Sequence, residues 1–218
     1  MGKIMQAVDI DTQICSLQKS LRAYTQNVHQ QLHEHSHFVA LFEGTIDPSQ
    51  YCALMQAFHG FYVPMELAID RVFGQSTYCH DGFDYPPRAT LLESDLAHLG
   101  LDTNAIEQNP RCAQMEYVVT PASLAGVLYV IEGSTLGAAM IDRAAQKILS
   151  AETTDGRSFW AWSRENNKTR WAAINTYLSQ FDYTRGTRDA ILEGANDTFE
   201  ALATWLAPLD ETVEATES

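Results

Sequence analysis

Apolar residues recur along this chain at spacings of three and four almost without interruption, a period that only amphipathic helices packed on one another can satisfy. Ile14, Leu17, Leu21, Tyr24, Val28 and Leu32 form a first stripe, with Asp9 or Asp11 as its N-cap. A second helix opens on Asp47 and Pro48 in DPSQYCALMQAFHGFYVPMELAIDRVF, where Pro64 is expected to kink or divide it. PPRATLLESDLAHLG starts on proline and stops at Gly100. One long glycine-bearing helix over 122–149 follows, and then DGRSFWAWSRENNKTRWAAINTYLSQF and TRDAILEGANDTFEALATWLAPL. No alternating strand pattern and no internal repeat stands out. The expectation is a single all-α domain over residues 11–207, with an N-terminal extension at 1–10 and an acidic, disordered tail at 208–218.

A length of 218 residues is enough for one domain with a real core, and 45% hydrophobic with 19% charged residues is ordinary for a soluble globule. Apolar runs are broken well short of a membrane span, and the first residues have neither an apolar core nor a cleavage site. No membrane association and no signal peptide are therefore expected. Cys15, Cys52, Cys79 and Cys112 are scattered without a paired motif, as free thiols in a reducing cytoplasm would be. A formal net charge of −14 argues against nucleic acid as a partner. Yet Arg143, Lys147, Arg157, Arg164, Lys168, Arg170, Arg185 and Arg188 place eight of the fourteen basic residues in one stretch. Scatter over solvated faces and a cationic patch for an anionic partner both account for them.

Two segments carry chemistry. In LRAYTQNVHQQLHEHSHF, Arg22, Thr25, His29 and His33 share one helix face beside the apolar stripe. A histidine at such an edge can ligate a buried metal centre while its other ring nitrogen finds a partner. His33, His35 and His37 also read as a solvated helix end, and no second His or Cys set at zinc-finger spacing follows. In EGSTLGAAM, Gly133 and Gly137 stand one turn apart among Ser134, Thr135, Ala138 and Ala139, so one side is stripped nearly to the backbone. Such a face allows close helix packing, and it equally suits a flat, rigid ligand. An axial His on one helix and bare backbone on another would sandwich a planar macrocycle such as haem.

On these residues the chain resembles the bacterial, biliverdin-producing haem oxygenases from about Leu17 to Leu206. LRAYTQNVH is similar to the proximal-helix pattern, RATLLESDLAHLG to the Asp-Leu-x-x-Leu-Gly segment, and LYVIEGSTLGAA with AQK to the distal helix of Neisseria-type and bacteriophytochrome-associated members. The resemblance implies a haem-oxygenase-like multi-helix bundle with haem, as both substrate and prosthetic group, between a proximal and a kinked distal helix. It makes His29 the iron ligand, Gly133 and Gly137 the distal glycines, and O2 the co-substrate. Ser134 stands near the place of a distal Asp in animal members; Tyr129 matches a family tyrosine that anchors water or simply packs in the core. Thr25 belongs to the proximal pattern and Arg22 matches a propionate contact, whereas Gln26, Ala172 and Thr176 stand where basic residues occur elsewhere. His33 occupies the usual place of an acidic partner to the ligand, with Glu34 as its substitute.

The implied reaction is oxidative cleavage of haem to biliverdin with release of CO and iron. Electrons would come from a separate ferredoxin, flavodoxin or reductase, and the enzyme would be a cytoplasmic monomer. A non-catalytic haem-binding or storage protein, or a haem-free enzyme on the same scaffold, is the alternative. For the acidic donor's approach, Arg143, Lys147, Lys168 and Arg170 are the expected contacts.

Overall fold

The computed structural model describes residues 6–74, 79–80, 82–149, 152–182 and 184–216. The helices are α1 (Gln6–Glu34), α2 (Ser36–Glu43), α3 (Pro48–Phe73), α4 (Ala89–His98), α5 (Thr103–Glu107), α6 (Pro121–Ser134), α7 (Ala138–Leu149), α8 (Ser158–Leu178) and α9 (Arg185–Thr216). Between α3 and α4 lies a minimal antiparallel hairpin, β1 (Cys79–His80) with β2 (Phe83–Asp84), too short to leave an alternating pattern. No single helix among the described residues is long and apolar enough to cross a membrane.

The first stripe folds as the period requires, with one exchange. Leu17, Leu21, Val28 and Leu32 are buried, but Tyr24 is 53% exposed and Thr25 takes the inward place. Thr25 can do so because its Oγ1 donates to the Leu21 carbonyl at 2.9 Å, leaving no orphan hydroxyl in the core. The helix begins at Gln6, ahead of the expected caps Asp9 and Asp11, so the boundary at 10 does not mark its start; the side chains of Ile14 and Cys15, like that of Cys79, lie outside the described residues. Of the other cysteines, Cys52 and Cys112 are free thiols, as expected.

Pro64 does not divide α3. Proline removes the N–H that would bond the carbonyl four residues earlier. That carbonyl, on Gly60, is taken instead by the Cys112 N–H at 2.9 Å. Gly60 is what lets the segment 110–112 come so near: a Cβ there would lie 2.4 Å from the Pro110 carbonyl oxygen and 2.7 Å from the Trp205 ring. At its start, α3 has the expected Asp47 cap, completed into a capping box by Gln50.

α6 packs deepest, against α9, and it does so through glycines. A Cβ on Gly126 would lie 2.1 Å from the Ile191 carbonyl oxygen, and one on Gly194 would lie 2.2 Å from that of Ser123. α8 packs on α6 and α7, and its start is held by Asp95 of α4, whose carboxylate accepts the Ser158 and Phe159 N–H groups at 2.7 and 2.9 Å. Asp95 of the DLAHLG segment is therefore a helix cap delivered across the fold. The acidic end read as disordered is helical through Pro208 to Thr216. Asp210 pins that end by accepting the Ser36 N–H at 2.9 Å and the Ser36 hydroxyl.

Candidate functional site

With Thr25 turned inward, Arg22, His29 and His33 remain exposed on the neighbouring face of α1. The His29 ring meets His33 edge-on at 4.5 Å between centroids and Phe199 of α9 at 5.5 Å. Partial burial, then the nearby His33 and Arg22 charges, hold its pKa below the ordinary histidine value. The imidazole is thus kept neutral, with a lone pair free for a metal. Glu34 does not substitute as its acidic partner: it accepts from Gln30 Nε2 at 2.7 Å, and the group against the ring is His33.

The expected single helix over 122–149 is two. α6 starts on a Thr120–Ser123 capping box with Pro121 at its first position, and α7 leaves it at an angle of 49°. Through the bend the backbone bonds shorten to a three-residue span: Leu136 to Gly133, Gly137 to Ser134, and Ala138 to Thr135. Ser134 and Thr135 hydroxyls fold back onto the Ile131 and Glu132 carbonyls at 2.7 and 2.6 Å, which favours bending at this point.

The glycines at this bend differ from those of the α6–α9 contact. A Cβ on Gly137 would meet only its own segment's Ser134 carbonyl at 3.7 Å, and one on Gly133 only the Trp171 ring edge at 3.5 Å. No neighbouring helix backbone needs them bare. Leu136 and Met140, both large and apolar, stand exposed beside them. Tyr129, one turn earlier, is half-buried against Trp171 at 5.5 Å. Burial raises its pKa and the Arg22 charge lowers it.

Beneath the bend lies a buried polar cluster that the sequence reading missed. Glu132, next to Gly133, is fully buried; it accepts from Arg88 Nη2 at 2.5 Å and from Arg170 Nη2 at 2.8 Å. Arg170 also donates to the Asp84 carbonyl at 2.7 Å, and Arg88 stacks between Tyr85 and Trp162. Glu66 fixes the approach to α4 by accepting the Arg88 N–H at 2.5 Å and the Tyr85 hydroxyl at 3.1 Å. Tyr62, whose phenol is hydrogen-bonded to Ser134, is pushed up to about 12 by burial and stays protonated at neutral pH. The available signal was a lone Glu in the apolar run LYVIEGS, since a buried charge needs a partner somewhere.

Half of the basic stretch, four residues of the eight, is engaged inside the fold. Arg157 and Arg164 both clamp Asp142, Arg170 holds Glu132, and Arg188 donates to the Ser20 hydroxyl at 2.5 Å. Arg170 is buried and cannot meet a protein donor, which corrects that assignment. Arg143, Lys147 and Lys168 remain exposed. Gln26, Ala172 and Thr176 are exposed and uncharged, while Arg22 and, one turn earlier, Lys19 are exposed cations on α1.

Comparison with solved structures gives the haem oxygenase-1 of the cyanobacterium Synechocystis in complex with haem, at a TM-score of 0.73 and 19% identity over 92% of this chain and 96% of that one. The haem oxygenase of Leptospira interrogans follows at 0.72 and 18%, over 88% and 99%. A domain of unknown function with a haem oxygenase-like fold from Shewanella denitrificans matches at 0.63 and 14%, over 99% and 97%. No curated protein sequence matches. The haem oxygenase family profile matches residues 15–207, nearly the whole helical bundle, and the chain thus belongs to the haem oxygenase family of haem-degrading enzymes.

Proposed function

We propose that the protein cleaves haem to biliverdin, releasing CO and iron, with O2 as co-substrate and electrons from a separate donor. One observation carries the reading: a Cβ on Gly133 or Gly137 would meet nothing nearer than 3.5 Å and no other helix's backbone, while the glycines that pack helices lie elsewhere, at Gly126 and Gly194. A flat macrocycle would lie against that wall, and His29, neutral and exposed on α1, would hold its iron. Bound haem supplies the iron that activates O2 against a meso carbon of its own ring.

The protein's residues set what happens around it. Gly137 would leave the space above its backbone free of side chain for the haem's reacting face. Ser134 gives its proton to the Ile131 carbonyl, so its oxygen is an acceptor, supported by the Tyr62 phenol and available to ordered water. Glu132 adjoins Gly133 in sequence, but Arg88 and Arg170 neutralise it beneath the bend, and no strong acid is presented at the distal face by that residue. A wall of this kind would offer bound haem a hydroxyl acceptor and ordered water, with Glu132 held away in its ion pairs. Arg22 is the contact for one haem propionate, and the uncharged Gln26, Ala172 and Thr176 leave ring rotation less constrained than a full basic set would. The bacterial, Neisseria-type assignment rests on the EGSTLGAA segment.

Adding haem and a reductant in air tests this directly. A Soret band that forms and then gives way to biliverdin absorption is expected. A stable Soret band that persists through reduction and reoxidation refutes turnover and leaves haem binding alone.

A further inference from the structure

Of the histidine end expected to be solvated at 33–37, His33 is exposed but His35 and His37 are not. His35 and His37 are 5% and 2% exposed, and with Asp210 of α9 they offer three ligand atoms within 4.8 Å of one another. His35 Nδ1 and Asp210 Oδ1 are 3.5 Å apart. Two ligands about 2.1 Å from a tetrahedral ion are roughly 3.4 Å apart, so this pair is already at bonding separation.

From this geometry we infer that His35, His37 and Asp210 form a binding site for a first-row divalent transition ion, separate from the haem site. The donor set, two imidazoles and one carboxylate, suits zinc and its neighbours. Supporting groups around it are in place. His35 Nε2 lies 3.1 Å from the Leu206 carbonyl, so it carries the ring proton and leaves Nδ1 as the lone-pair atom facing Asp210. That is the arrangement by which a backbone carbonyl orients a metal-bound histidine. The one bond Nδ1 receives, from the His37 N–H, is long at 3.3 Å, and an ion would replace it. Ser36 holds the carboxylate through its N–H and hydroxyl. Asp210 is 45% exposed, which gives an entry path and an open position for water.

The site joins the α1–α2 junction to the end of α9. It is a staple between two elements far apart in the chain, and it depends on a residue beyond the 15–207 stretch shared with the family. It is independent of whether haem is turned over.

The test is equilibrium dialysis of the full chain against Zn²⁺, followed by the visible spectrum with Co²⁺. His29 and His33, exposed one turn apart on α1, are a competing pair, so the measurement is repeated in a His29→Ala/His33→Ala background. One equivalent should bind in both proteins, and adding Asp210→Asn or His37→Ala to that background should weaken it more than tenfold. If His37→Ala fails to fold by circular dichroism, Asp210→Asn, on the half-exposed side, decides alone. No binding by the wild type overturns the inference. So does loss of the equivalent in the His29→Ala/His33→Ala protein, or its retention after Asp210→Asn.

Discussion

Two glycines eleven residues apart in one segment, Gly126 and Gly137, should respond oppositely to the same kind of substitution. Alanine at a helical glycine gains about 1 kcal/mol in helix propensity. At Gly126 the new Cβ would sit 2.1 Å from the Ile191 carbonyl oxygen and 2.6 Å from the Ala195 nitrogen, both backbone. Neither atom can rotate away, so α6 and α9 must separate, at an overpacking cost near the upper end of about 1–3 kcal/mol. The net loss is about 2 kcal/mol, which lowers Tm by about 4–8 °C in a domain of this size. At Gly137 a Cβ would meet only the Ser134 carbonyl, at 3.7 Å. Gly137→Leu should therefore leave stability within about 0.5 kcal/mol of wild type while cutting haem turnover more than about tenfold, because Leu fills the space over the ring. Thermal melting by circular dichroism and single-turnover biliverdin formation read the two effects separately. A Gly137→Leu protein that melts as low as Gly126→Ala would show that the distal glycines serve helix packing. A Gly137→Leu enzyme of normal rate and normal Tm would refute the bare-wall reading altogether.

Three further expectations follow from the same geometry. His29→Ala should abolish the histidine–haem spectrum and nearly all product while the apo fold survives, because the ring is exposed; His33→Ala should keep ligation, and the reverse pattern would move the ligand to His33. Glu132→Ala leaves two buried guanidinium groups without their carboxylate, and urea denaturation should report a loss of about 3–5 kcal/mol; a change under about 1 kcal/mol would mean the cluster relaxes into solvent. Arg143→Glu with Lys147→Glu should slow turnover with an acidic protein donor, most at low salt, while ascorbate-driven turnover stays unchanged; equal losses with both reductants would disprove a docking role.

Local patterns carried far in this chain because helices are local objects. The apolar period placed the long helices, and Asp47–Pro48 and Gly100 marked real boundaries, since caps and turns are set by residues a few positions apart. His29, Gly133 and Gly137 were legible too, as chemistry standing at odds with the pattern around it: a histidine beside a stripe, and glycines where a helix would prefer alanine. The five-residue α5, capped by Asp102, passed unnoticed because one turn carries no period.

What the chain could not show locally was which distant groups meet. Pro64 looked like a break, and α3 runs through it because the freed Gly60 carbonyl finds Cys112. Arg170 looked like a surface cation, but it is drawn inward by Glu132, with which it neutralises a charge that could not be buried alone. The histidines at 35 and 37 and the acidic end at Asp210 looked like two solvated termini, and they meet at one junction in which both rings are buried. Period and capping are properties of neighbours in sequence, so sequence determined the helices and the faces they present. Pairing of buried polar groups depends on three-dimensional adjacency, and only the packed bundle decided which partner each one found.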